Sequence, residues 1–88
     1  MSKIRYDIRV ERMVSHEHYL AFCPQLPQFS AQGGSVAQLR ERIAANLKQV
    51  LEWKGMQVAS VTLEPEAPGA PETASVFPAM AYAHLKAA

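Results

Sequence analysis

The sequence predicts a small α+β domain: three antiparallel strands, a crossover helix and a fourth strand (βββαβ), ending in a short C-terminal tail. Three observations carry that expectation. Residues 3–12 alternate apolar and charged side chains with period two, the pattern of a strand with one buried face. Val36, Leu39, Ile43, Leu47 and Val50 recur at three- and four-residue steps behind a serine, the pattern of a capped amphipathic helix. Between these two segments, prolines and a glycine pair punctuate short apolar runs in the order strand, bend, strand, turn.

In the first strand, Ile4, Tyr6, Ile8 and Val10 share one face, with Lys3, Arg5, Asp7, Arg9 and Glu11 on the other. Met13 to His18 makes a polar connection of hairpin length. The second strand, Tyr19 to Cys23, is apolar or small on both faces, as an interior strand or one with a covered outer face would be. Pro24 and Pro27 each remove a backbone donor and end that ladder in a bend. Phe29 to Gln32 makes a short third strand before Gly33-Gly34 turns the chain.

Ser35 and Gln38 have capping-box spacing. The Ser35 hydroxyl is expected to accept from the Gln38 N–H while the Gln38 side chain reaches back to the Ser35 N–H. Lys48 and Lys54 suit the negative end of the helix dipole, and Gly55 supplies a left-handed stop. Met56 to Leu63 reads as the fourth strand, expected to lie parallel to the sheet the chain left.

The domain so defined spans residues 1–63. Residues 64–75 read as a proline-rich acidic spacer. Residues 76–88 are an apolar, alanine-rich tail, expected to form a short helix that packs on the sheet or on a neighbouring subunit. One helix covers only one face of such a sheet, and the second strand is apolar on both sides. Phe77, Met80, Tyr82 and Leu85 are therefore the candidate oligomer contact.

With 88 residues the chain is long enough for one domain. Its 49% apolar and 19% charged residues leave little charge for a solvated surface, which points to a homo-dimer, a homo-tetramer or a bound partner. A net charge of +1 gives no field to steer nucleic acid or an anionic membrane. Arg40, Arg42, Lys48 and Lys54 are interspersed with Glu41 and Glu52 and lack the interleaved aromatics of a nucleic-acid platform, so no direct nucleic-acid binding is expected. The one cysteine, Cys23, suits a reducing compartment as a small buried residue. No run has the length of a signal peptide or membrane span, so the expected location is cytoplasmic.

The side chains do not assemble a catalytic centre. His16 and His18 could share a strand face, but two ligands are too few for a metal site. Asp7 and Glu11 share a face yet lie about 13 Å apart along a strand, too far to hold one magnesium ion. Gly33-Gly34 lacks the lysine and spacing of a phosphate loop. No catalytic residue, cofactor or metal site is expected.

The order of short signals resembles the HicB-like family, the antitoxin half of bacterial HicA–HicB toxin–antitoxin modules. The matching residues are Tyr19 and Ala21, then Pro24-Gln25-Leu26-Pro27, then Gln32-Gly33 and the cap Ser35, within a resemblance that covers about residues 4–63. Gln25 and Gly34 stand where that pattern usually has an acid, and Gln28 where it has glycine. Residues 64–88 are too short for the DNA-binding domain that many members carry. The resemblance implies a partial RNase H-like fold without the RNase H acids. It also implies a non-enzymatic antitoxin that sequesters a small HicA-like RNase by covering its catalytic surface. Tyr19, Phe22, Pro24, Leu26, Pro27 and Phe29 are the candidate partner interface. A homo-oligomeric HicB-like domain with no toxin is the alternative, and a degenerate RNase H-like nuclease is a more distant one.

Overall fold

Residues 3–13, 18–64 and 78–86 are described in the structure, a computed structural model. The period-two pattern at the start of the chain forms one long strand interrupted at Ile8. Its first half is β1 (Lys3–Asp7) and its second half β2 (Arg9–Met13). The inward alternation runs through the break, with Tyr6 and Ile8 buried and Ile4 and Val10 half-buried. The chain continues as β3 (His18–Cys23), β4 (Leu26–Gly33), the helix α1 (Val36–Trp53), β5 (Val58–Glu64) and β6 (Met80–Leu85).

The six strands make two antiparallel sheets of three, ordered β1-β6-β5 and β2-β3-β4. The fold class is thus α+β, but the predicted βββαβ arrangement is overturned in both strand count and strand order. The segment read as a C-terminal helix is the strand β6, inserted between β1 and β5. Direct pairing of β5 with the sheet it left does not occur. β5 does run parallel to β1, but only because each lies antiparallel to β6.

Register explains why β6 carries alanines. Ala81 sits between Tyr6 of β1 and Leu63 of β5, and Ala83 sits between Ile4 and Val61. Both alanines are fully buried. Large side chains on the flanking strands close over the small ones, so the middle strand needs little volume of its own. Phe77 and all but Glu64 of the proposed spacer lie outside the described residues, as does His16.

The helix covers one face of both sheets, packing chiefly against β4, then β5 and β3. Leu39, Ile43, Leu47, Val50 and Leu51 are its buried stripe. They meet Tyr19, Ala21, Cys23, Leu26, Phe29, Ala31, Val58 and Leu63 from the strands in one core. Among the described residues no polar or charged side chain is buried there. Burial pushes the Tyr6 phenol above its usual pKa, and the nearby Cys23 adds a smaller push in the same direction.

Both helix ends are capped by side-chain and backbone bonds. The Gln38 N–H donates to the Ser35 hydroxyl at 3.1 Å, as expected. The return bond shifts by one residue: the Gln38 Oε1 accepts from Gly34 N–H at 2.8 Å, not from Ser35. At the other end, Gly55 (φ 90°) donates to Glu52 O and Met56 donates to Leu51 O, a complete Schellman closure. Lys54 is the cap residue itself and Lys48 lies outside the last turn, so no basic side chain there serves the dipole.

Gly33 is where β4 meets the helix. A Cβ built there would lie 2.7 Å from Leu39 N and 3.0 Å from Leu39 Cα, both backbone atoms that cannot step aside. At Gly34 the nearest atom, the Gln38 Oε1, would be an ordinary 3.7 Å away. Gly33→Ala should therefore cost about 1–3 kcal/mol of stability in urea unfolding, with Gly34→Ala costing much less. Equal losses for the two variants would contradict the close approach.

Candidate functional site

The face opposite the helix is not covered by any described element. Side-chain alternation and strand register assign its members. β6 contributes Met80, Tyr82 and His84, and the long first strand contributes Lys3, Arg5, Asp7, Arg9, Glu11 and Met13. β3 adds His18, Leu20 and Phe22, with Ser60, Thr62 and Glu64 of β5 and Ser30 and Gln32 of β4 at the margins.

This face has two apolar islands on either side of a charged ridge. Met80 and Tyr82 form one, each half-buried; Leu20 and Phe22 with the 43%-exposed Met13 form the other. The ridge runs Arg5, Asp7, Arg9, Glu11. Arg5 and Asp7 approach to 3.7 Å, but both are more than half exposed, so the pair contributes little to stability. The Lys3 ammonium lies 4.8 Å from the Tyr82 ring centroid, a cation–π contact. Thr62 and His84 are hydrogen-bonded at 2.9 Å, as are His18 and Gln32 at 3.0 Å. Among the described residues no three His, Cys, Asp or Glu side chains come together as a metal group.

The turn beside this face is built around Gln25. Pro24-Gln25 is a two-residue hairpin connection, closed by pairing of Cys23 with Leu26. β4 then bulges through Pro27, Gln28 and Phe29 before Ser30 pairs with Phe22. Pro27 is tolerated because β4 is an edge strand. The Gln25 Oε1 accepts from Asp7 N–H at 2.8 Å and from the Cys23 thiol at 3.3 Å. It thereby ties the hairpin tip to the end of β1.

The six residues expected to form the partner interface divide between two faces. Tyr19, Leu26 and Phe29 are in the core under the helix. Phe22 is half-buried on the open face, and Pro24 and Pro27 are exposed at the turn and bulge. Of the tail residues, Met80 and Tyr82 are on the open face, whereas Leu85 packs against the core. Sequence reasoning missed Trp53, which is 73% exposed. It follows Arg42 by eleven residues and Asn46 by seven, placing all three on the side of α1 that faces β4. Its position off the apolar stripe was the available signal.

With this geometry in hand, the chain matches no protein-family model, no curated protein and no solved structure. No helix among the described residues is long and apolar enough to cross a membrane.

Gln25→Ala should lower stability by about 0.5–1.5 kcal/mol, because the Asp7 N–H loses the Gln25 side-chain acceptor. Amide exchange at Asp7 should accelerate by more than the global change accounts for. Unchanged exchange at Asp7 would contradict the tie.

Proposed function

We propose that this chain is a non-enzymatic cytoplasmic protein that works by protein–protein contact. In this reading it is a HicB-like antitoxin that sequesters a small HicA-like RNase by laying the open sheet face over the toxin's catalytic surface. The observation that carries it is the pair of half-exposed apolar islands, Met80/Tyr82 and Leu20/Phe22, on a sheet face that no described element covers. Aromatic and methionine side chains in such settings are the usual anchors of protein interfaces. The mixed charges of the ridge supply register between partners rather than long-range attraction. The ordered signals from Tyr19 to Ser35 support the family assignment.

A second reading is a homo-oligomeric domain with no toxin partner. It is favoured by the low charged fraction of 19%.

Co-expression with the product of the adjacent small reading frame tests the first reading. A stable hetero-complex is expected, with the partner toxic when expressed alone. Phe22→Asp combined with Tyr82→Asp should abolish the complex and leave the circular dichroism spectrum unchanged. A complex that survives this pair, or no complex at all, would remove the antitoxin reading.

A further inference from the structure

The two terminal edges of the strand array are finished differently. β4 is the outer strand on one side, and α1 caps its free carbonyls. Asn46 Nδ2 donates to Ser30 O at 2.9 Å, and Arg42 Nη1 donates to Gln32 O at 3.1 Å. Asn46 and Arg42 are one helical turn apart and Ser30 and Gln32 two strand residues apart, so the two spacings match along the edge. Pro27 and the bulge interrupt the rest of β4. Edge strands are ordinarily blunted by such covering, by proline or by charge.

β5 has little of this. Its backbone is paired on one side only, to β6, and among the described residues no backbone bond reaches its other side. From Val58 to Leu63 it contains no proline and no charge. Its single bulge lies at Ala59, near the start, leaving Ser60–Glu64 in regular register. Val61 sits mid-strand on the helix side, yet it remains only half-buried.

We propose that β5 is a self-pairing edge, at which a second copy of this chain adds its own β5 antiparallel across a two-fold axis. The occupant is a second copy because the strand is complementary to itself. In an antiparallel pair centred on Val61, Val61 meets its counterpart and covers the exposure that one chain leaves. Ser60 faces Thr62 of the other copy, a favourable cross-strand pair. The Glu64 carboxylates lie at opposite ends of the pair, so no like charges oppose each other. A two-fold axis normal to the sheet keeps both helices on the same side. The two open faces then join into one surface. This inference stands whether or not a toxin occupies that surface.

Light scattering on size-exclusion fractions of the full chain tests it. The expected molar mass is twice that of one chain. Ser60→Lys with Thr62→Lys changes two exposed side chains and sets lysines opposite lysines across the axis, so the mass should fall to that of a monomer. Phe22→Asp, on the open face, should remain dimeric. Amide exchange of the unmodified protein gives a second readout that needs no variant: β5 amides should slow as concentration rises, and β4 amides should not. A monomeric unmodified chain, a dimer that survives the paired lysines, or exchange in β5 that is independent of concentration would each overturn the proposal.

Discussion

The structure depends on a single strand serving two sheets. Residues 3–13 give their first half to β6 and their second half to β3, and the exchange takes place at Ile8. Neighbouring backbone N–H groups of a strand point to opposite edges, and the two at the exchange are both used. Ile8 N–H donates to Ala79 O at 3.0 Å on the β6 side, and Asp7 N–H donates to the Gln25 side chain on the hairpin side. The hairpin of β3 and β4 and the pair of β5 and β6 are thus held on opposite edges of one backbone. A single helix can bridge them because the inward face of the shared strand stays apolar through the break.

Much of this was legible in the residues. The alternation of the first strand, the helix stripe, its serine cap and its Gly55 stop are local patterns, and each formed as the local chemistry requires. The turn expected at Gly33-Gly34 begins one residue later, because Gly33 is the last residue of β4, and the reason for a glycine at 33, contact with the helix backbone at Leu39, is tertiary. β6 was not legible. Ala81 and Ala83 are poor strand formers taken alone and read as helix. Their fit depends on Tyr6, Leu63, Ile4 and Val61, which are distant in sequence and adjacent only once the sheet has formed. In the candidate site, Phe22 reached the open face, but Tyr19 entered the core with the inward alternation of β3, and Leu26 and Phe29 entered it because the hairpin turn and bulge set the phase of β4.

Several exposed polar residues hold the fold together. Gln25 is exposed at the hairpin turn, yet its side-chain oxygen accepts from the Asp7 N–H. Arg42 and Asn46 look like a solvated helix flank, but they satisfy β4 carbonyls. Among the described residues, the features with no such structural task include the two apolar islands of the open face, Trp53 at the helix end and the outer edge of β5.

β6 is an integral middle strand without which the two halves do not close into one unit. Thermal and urea unfolding of a chain ending at Glu64, followed by circular dichroism, tests this role of β6. Loss of the cooperative transition is expected, since Tyr6, Ile4, Leu63 and Val61 would lose the alanines that join them. A truncated chain that unfolds cooperatively with native-like stability would contradict it and restore direct pairing of β5 with β1.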